Sequence, residues 1–435
     1  MLALRIKNFR SIRDPQELNL RRTKPHVPDH NRSELDAWDP LVTPVAAIYG
    51  ANASGKTSVI DALRFIVRTV RTSQSGEPGA KIDTIPFLLD NHSRQEPSEF
   101  ELEFLMDGNR HQYGFSLDNN HVLSEWLYVY RSAKPTVLFE RGVNEDEYWT
   151  FGRSLKGQNA LIAKLTRPNA LFLSAAATNA HELLTHIFNY VTKTIRVYNS
   201  SAYEGAHTKL TARMHADPAF AKRLTDILKV SDTGIRGASI EVNSMTSQER
   251  DDLRKLLIEG GMTEDQSERA LERWNTEKSL VLSLEHQAGE AVQPLPFDAE
   301  STGTKALLSH AEAVLDALAD GGVCVFDEID TSLHPLLVAE LIRLFQTPVT
   351  NPRQAQIIFT THEASLLDPG GSMPGSLDRD QVWVTEKDET GSTSLTAFSE
   401  YKPRRDENLR RGYLSGRYGG LPLIKSDSGY AVAVQ

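Results

Sequence analysis

The sequence predicts an α/β fold in which a mainly parallel sheet is joined to a mixed or antiparallel lobe and interrupted by a helical insertion. Three observations carry that expectation. Short continuous apolar runs at Val45-Ala46-Ala47-Ile48-Tyr49, Val323-Cys324-Val325-Phe326 and Gln356-Ile357-Ile358-Phe359-Thr360-Thr361 suit strands buried on both faces. Stretches of helical spacing alternate with such runs, as they do in parallel sheets. Between residues 98 and 151 the pattern becomes apolar–polar alternation punctuated by Asp, Asn and Gly, which reads as antiparallel hairpins.

In chain order, Met1-Leu2-Ala3-Leu4-Arg5-Ile6-Lys7 alternates apolar and charged side chains and reads as a strand. A signal peptide would need a longer apolar stretch. Residues 21–43 are polar, carry Pro25, Pro28 and Pro40, and read as a loop. After the run at 45–49, Val59, Ile60, Leu63, Ile66, Val67 and Val70 place a helix over 57–71. Residues 72–84, rich in Ser, Gly and Lys, read as a mobile loop. Residues 158–275 read mainly as helix, including 218–230 and a stretch over 247–278 that Gly260-Gly261 breaks into a pair. No heptad pattern lasts long enough for an extended coiled coil. Strand signals return at Val281-Leu282-Ser283-Leu284-Glu285-His286, with helices expected at 302–319 and 334–346. Three segments follow: 1–157, a helical insertion at 158–279, and 280–435.

The chain has 435 residues, 40% hydrophobic and 24% charged, enough to bury a sizeable core. A formal net charge of −10 argues against a surface that binds nucleic acid all over, while leaving room for a local basic groove. The single cysteine, Cys324, can form no intramolecular disulfide and fits a reducing cytosol. No apolar run approaches bilayer-spanning length. A cytoplasmic protein that does not act at a membrane is the expectation.

The first chemical motif is Gly50-Ala51-Asn52-Ala53-Ser54-Gly55-Lys56-Thr57, followed by Ser58, set between a buried strand and an amphipathic helix. Two glycines with four residues between them, then Lys and Thr, form the phosphate-binding loop pattern. Glycine lets the backbone wrap close to phosphate, so that successive N–H groups point inward, and the helix start adds partial positive charge. Lys56 is placed to reach the β- and γ-phosphates and the Thr57 hydroxyl to ligate Mg²⁺. A chance match in a turn is the competing reading; the strand–loop–helix context argues against it.

The run Val323–Phe326 ends in Asp327-Glu328, which a parallel strand places at the sheet's ligand-binding edge. Asp327 is the candidate metal carboxylate and Glu328 the group that polarises the attacking water. A solvated acidic turn is the bland alternative. Glu300-Ser301-Thr302-Gly303-Thr304-Lys305 precedes a helix and could offer phosphate the Ser301 hydroxyl and the backbone N–H of Gly303; alone it reads as an ordinary helix cap. His362, after Phe359-Thr360-Thr361, is the candidate γ-phosphate sensor, although a lone His after a strand is more often structural.

Together these residues resemble the ABC/SMC-type ATPases, the group of SMC, Rad50, RecF and OLD-like proteins. The matching parts are Asn8-Phe9-Arg10, the loop at 50–57, Ser301-Thr302-Gly303, Asp327-Glu328, Ser332-Leu333-His334-Pro335 and His362. The resemblance implies an ABC-type ATPase head that hydrolyses ATP with Mg²⁺. It also implies a homodimer or higher homo-oligomer in which two heads sandwich ATP. Ser301 and Gly303 would then act in trans, residues 332–335 would cross the interface, and Arg10 would approach the nucleotide. The group's magnesium-sensing glutamine has Gln95 and Gln112 as candidates, neither in a clear motif. More narrowly, Asp380-Gln381-Val382-Trp383 with Glu386-Lys387-Asp388, and Gly412-Tyr413-Leu414-Ser415-Gly416-Arg417-Tyr418-Gly419-Gly420-Leu421-Pro422, look like the stand-alone OLD-related bacterial ATPases of anti-phage systems. These can work with a separate effector, a nuclease or a toxin.

Two function classes compete on this basis: a defence ATPase with a separate effector, and a RecF-like DNA-repair clamp. Lys402, Arg404, Arg405, Arg410, Arg411 and Arg417 could bind DNA phosphates, or form a solvated face with Asp406 and Glu407. A transporter's ATPase subunit fits less well, because the segment between the lysine loop and Ser301 is long and mixed. A module that uses ATP only as structural glue leaves Glu328 without a purpose.

Overall fold

The computed structural model describes residues 1–21, 42–143, 148–198, 203–231, 234–242, 246–278, 280–368, 375–402 and 407–422. Most of the polar excursion expected at 21–43 lies outside them, as do Arg404, Arg405 and Asp406.

The chain opens with strands β1 (Ala3–Lys7), β2 (Gln16–Asn19) and β3 (Val45–Gly50), and the glycine loop leads into helix α1 (Lys56–Thr72). Five strands follow: β4 (Ser98–Met106), β5 (Asn109–Leu117), β6 (Val122–Tyr130), β7 (Thr136–Arg141) and β8 (Trp149–Phe151). Short helices α2 (Asn159–Leu165), α3 (Phe172–Thr178) and α4 (Glu182–Asn189) lead to β9 (Ile195–Tyr198). Next come α5 (Tyr203–Ala216), α6 (Pro218–Val230), β10 (Ile235–Val242), α7 (Ser247–Glu259), α8 (Glu264–Lys278), β11 (Leu280–Ala288) and β12 (Ala291–Pro296). The rest is α9 (Thr302–Asp320), β13 (Val323–Phe326), α10 (Pro335–Gln346), β14 (Gln356–Thr360), β15 (Val382–Lys387), β16 (Thr393–Ala397) and α11 (Leu409–Leu414).

The chain divides into two compact units. One comprises 1–198, 317–330 and 338–435; the other comprises 199–316 and 331–337. The first unit holds two sheets. A seven-stranded sheet, ordered β2-β1-β4-β5-β6-β7-β8, is antiparallel throughout. A six-stranded sheet, ordered β16-β15-β3-β14-β13-β9, is parallel except for the β15–β16 hairpin. The predicted mixed architecture is therefore present, with the apolar runs at 45, 323 and 356 in the parallel sheet.

Helix α1 packs against β1 of one sheet and β3, β9 and β14 of the other. Its apolar positions Val59, Ile60, Leu63, Ile66, Val67 and Val70 are all buried. Phe9, Phe65, Phe100 and Phe115 form a run of ring contacts with centroids 4.8–5.5 Å apart, tying α1 to the antiparallel sheet. Burial of such rings holds a helix mainly through removal of apolar area from water.

The second unit holds the antiparallel sheet β10-β11-β12 with α5 to α8. Strand β11 thus belongs to a local antiparallel sheet rather than to the parallel one, which periodicity could not distinguish. Helices α7 and α8 meet at Gly260-Gly261, where Gly261 has φ 93°, a conformation that suits glycine. α7 begins with a capping box between Thr246 and Glu249. Among the described residues, no helix is long and apolar enough to cross a membrane.

Candidate functional site

In the first unit, β15, β3, β14 and β13 run parallel, so their C-terminal ends emerge at one edge of the sheet. The loop 50–55 follows β3, Asp327-Glu328 follows β13 and Thr361-His362 follows β14. Since β14 lies between β3 and β13, its last residues bridge the two motifs.

The loop is built on backbone that glycine permits. Gly50 (φ 154°) and Gly55 (φ 109°) both have positive φ, and Ala53 joins them at 61°. A Cβ on Gly50 would collide with Thr385 and Ser54, and one on Gly55 with Thr393 and Ser11. Ser54 N–H closes a turn onto Ala51 O (3.1 Å). Of the first-turn N–H groups of α1, that of Ser58 donates to Gly55 O (3.0 Å); a helix start leaves its earliest N–H groups without the carbonyl four residues back, so they serve as donors at the loop. Lys56 is buried, and its ammonium donates to Gly50 O (2.9 Å) and Ala51 O (3.1 Å), folding back over the loop. Burial pulls its pKa below the usual lysine range, while Glu328, Asp327 and Asp330 oppose that shift.

The Thr57 hydroxyl lies 3.4 Å from Asp327 Oδ1. The same carboxylate oxygen accepts from Thr360 Oγ1 (2.7 Å), and Thr360 Oγ1 in turn accepts from Glu328 N (2.6 Å). One fully buried hydroxyl from β14 therefore orients both acidic residues at the end of β13. Glu328 itself has φ 54°, an uncommon conformation for a side-chain-bearing residue, and its side chain is exposed. His362 donates its backbone N–H to Asp330 Oδ2 (3.2 Å). Burial and the nearby Lys56 charge lower its pKa from the ordinary histidine value, against the opposing pull of Asp330 and Glu328.

Two cavities border the loop. One, of about 560 Å³, is lined by Arg10, Asn52, Ala53, Gly55, Lys56, Thr57, Ser58 and Glu328, with Ile85 to Leu89 as an apolar wall. The other, of about 780 Å³, takes in residues 50–54, His362, Thr385 to Lys387 and the turn around Gly416–Pro422. Arg10 is thus on the cavity wall, its guanidinium paired with Asp61 at 2.5 Å. Its neighbour Asn8 is a buried brace, donating to Ser93 O and Glu96 O (both 2.8 Å) and accepting from Phe87 N (3.0 Å). Neither glutamine candidate lines these cavities. Gln112 bonds Glu101 (2.7 Å) and Tyr130 (2.5 Å) on the antiparallel sheet, and Gln95 sits in an exposed turn.

Ser301 and Gly303 belong to the second unit. The Ser301 hydroxyl caps α9 by accepting from Thr304 N (3.1 Å). Glu300, just before it, is buried and bonded to His286 Nε2 on β11 (2.7 Å), which anchors this turn. A Cβ on Gly303 would come within 2.9 Å of Ser332 O, so glycine lets residues 331–337 lie against the helix start.

Several site-building residues were given no site role by the sequence: Ser11, Thr360, Thr385, Thr393 and Lys387, the last of these named only within the stretch Glu386-Lys387-Asp388. Thr360 stands two residues before His362 in a stretch already singled out, but nothing in its pattern reveals a hydroxyl shared by two acidic neighbours. The rest come from distant segments.

Among solved structures the chain is similar to the Smc head domain with an extended coiled coil, bound to the C-terminal domain of ScpA, from Pyrococcus furiosus. Identity is 12%, the match covers 92% of this chain and 97% of that one, and the TM-score is 0.39. No curated protein matches the chain in sequence. Residues 45–368, well over half of the chain, match the family model described as "AAA domain, putative AbiEii toxin, Type IV TA system". That match takes in the phosphate loop, the acidic pair after β13 and His362, and the chain belongs to this AAA-domain family.

Proposed function

We propose that the chain binds ATP with Mg²⁺ and hydrolyses it as an ABC/SMC-like ATPase. The observation that carries this reading is the meeting, at one sheet edge, of Lys56, Thr57, Asp327, Glu328 and His362, with Lys56, Thr57 and Glu328 on the wall of one cavity and His362 on the wall of the other. The residues fit the metal. A hydroxyl and a carboxylate 3.4 Å apart offer hard oxygen donors. Among the described residues no cluster of three or more His, Cys, Asp or Glu could hold an ion unaided. That donor set suits magnesium, which keeps waters and takes further oxygens from phosphate. When bound, Mg²⁺ would neutralise charge on the phosphates. Thr57 and Asp327 would hold it, and Thr360 would keep Asp327 aligned. Lys56 would turn from its loop carbonyls to the phosphate oxygens. Glu328 would accept a proton from the attacking water, and His362 would donate to the γ-phosphate.

In this reading two copies engage head to head, and Ser301 and Gly303 of one copy complete the site of the other. The cell biology that fits best is a cytoplasmic sensor or scaffold ATPase in anti-phage defence, acting with a separate nuclease or toxin. The family description names a putative toxin of a type IV TA system and says nothing of a separate effector. The alternative is a RecF-like DNA clamp. Of its basic stretch, Arg417 is already paired with Glu407 (2.6 Å).

The deciding experiment compares ATP turnover of wild type and Glu328→Gln. Loss of a general base costs roughly 10²–10⁴-fold, so turnover should fall by at least about 100-fold while ATP binding persists. Turnover at the wild-type rate would remove Glu328 from the mechanism. DNA-stimulated turnover that weakens steeply with salt would favour the clamp.

A further inference from the structure

Both cavities beside the loop share a residue from outside the loop and the acidic strand: Lys387, at the end of β15. Its surroundings explain why it is there. In the β15–β16 hairpin, Lys387 pairs directly with Thr393 and Thr385 with Leu395. Directly opposed residues share a face, as do residues two apart along one strand. Thr385, Lys387 and Thr393 therefore occupy one face of the hairpin, and the contacts of both threonines show that it is the face turned to the loop.

Thr385 Oγ1 lies 2.6 Å from Ser54 Oγ and donates to Tyr49 O (3.2 Å). Thr393 Oγ1 donates to Ser54 O (2.9 Å) and sits 2.8 Å from Ser11 Oγ, which is itself 2.8 Å from Ser58 Oγ. Thr385, Thr393 and Ser54 are all buried. The side chain and the carbonyl of Ser54 are thus both tied to the hairpin. Glu386, on the opposite face, accepts from Gly420 N (3.2 Å). The tip is held as well: Asp388 accepts from Thr390 N, Thr390 Oγ1 and Ser392 N at 2.6–2.9 Å. Lys387 is exposed on this braced support, and among the described residues its ammonium has no ion-pair or hydrogen-bond partner.

We propose that this face of the hairpin is a further wall of the nucleotide site: Lys387 binds the nucleotide's phosphates, and Thr385 and Thr393 are positioning residues that set the loop's shape. The proposal rests on the reading of the loop as a nucleotide site. A lysine is a compact point charge on a flexible stem, able to reach phosphate oxygens from the end of a strand. A hydroxyl pair that fixes Ser54 leaves the loop little freedom to lose on binding, which favours affinity.

The test uses the full chain and measures dissociation constants for Mg·ATP and Mg·ADP, their salt dependence, and the melting temperature. Lys387→Ala should weaken ATP binding about 10-fold or more, the scale of a charged hydrogen bond. It should also flatten the salt dependence and leave the melting temperature unchanged, and Lys387→Arg should retain most of the affinity. Thr385→Val and Thr393→Val should each weaken binding several-fold, with Thr385→Ser and Thr393→Ser restoring it. Wild-type binding that Lys387→Ala leaves intact would overturn the role of Lys387. Serine variants as weak as the valine variants would overturn the positioning role. A wild type that binds no nucleotide would overturn the nucleotide reading itself and, with it, this proposal.

Discussion

The loop at 50–57 and the turn at 300–304 are both glycine-bearing starts of helices, yet they are built in opposite ways. The first is braced from outside its own segment. Ser54 is buried and bonded to Thr385 and Thr393, and both glycines occupy positions that a Cβ would block. The second is satisfied locally. Ser301 is exposed and its hydroxyl is used by Thr304 three residues on, while Glu300 is pinned by His286. One is a braced loop with two cavities beside it. The other is a presented helix start, complete as a cap and with its outer surface open. That contrast is what a site assembled from two copies would require: rigidity where phosphate is wrapped, exposure where a second molecule must arrive.

The largest effect should come from separating the two halves. Lys56→Ala and Gly303→Arg should each abolish turnover when pure, the first by losing nucleotide binding and the second while retaining it. If two copies share the site as proposed, mixing the two variants should restore turnover, because one composite site in a mixed dimer would keep an intact loop and an intact helix start. Absence of any recovery would break the comparison and leave the turn at 300–304 as a helix cap only.

A middle-sized effect is expected at Thr360. Thr360→Val removes the hydroxyl that donates to Asp327 and accepts from Glu328 N. An unmatched buried group costs about 1–3 kcal/mol, so the melting temperature should fall modestly. Turnover should drop on the order of 10-fold, the rate equivalent of about 1.4 kcal/mol, with more Mg²⁺ needed for half-maximal rate. A magnesium titration of wild type and variant checks this.

The smallest effect concerns pH. The imidazole of His362 is held below its ordinary pKa by burial and by Lys56, so kcat should fall only at pH values below the usual histidine range. Asp330 opposes that shift. Asp330→Asn removes a charge that favours the protonated ring, so the acidic limb should move to still lower pH. A kcat–pH profile of both proteins measures the displacement; movement to higher pH would contradict the arrangement.

Much of this molecule was legible in the chain. Buried parallel strands need apolar residues on both faces, so the runs at 45, 323 and 356 announced themselves, and the α1 stripe gave its helix. Gly260-Gly261 marked the break between α7 and α8. Strand β11 was visible as a strand, but its partners were not, because a period of two or a short apolar run says nothing about which sheet will claim it. Arg10 lay in a quoted motif, and the fold puts it on the cavity wall beside Asp61. Gln95 and Gln112, by contrast, sit away from it.

The sequence by itself determined the phosphate loop, the acidic pair and the order of strands and helices that carries them, because each depends on residues a few positions apart. Backbone wrapping, helix starts and strand ends are local consequences of glycine, charge and apolar spacing. Only the tertiary structure decided what holds that loop in place. Thr385 and Thr393 reach Ser54 across more than three hundred residues, and Lys387 borders both cavities only because β15 pairs in parallel with β3. Such contacts are set by strand order and register, which arise from the burial of whole sheets rather than from any short pattern.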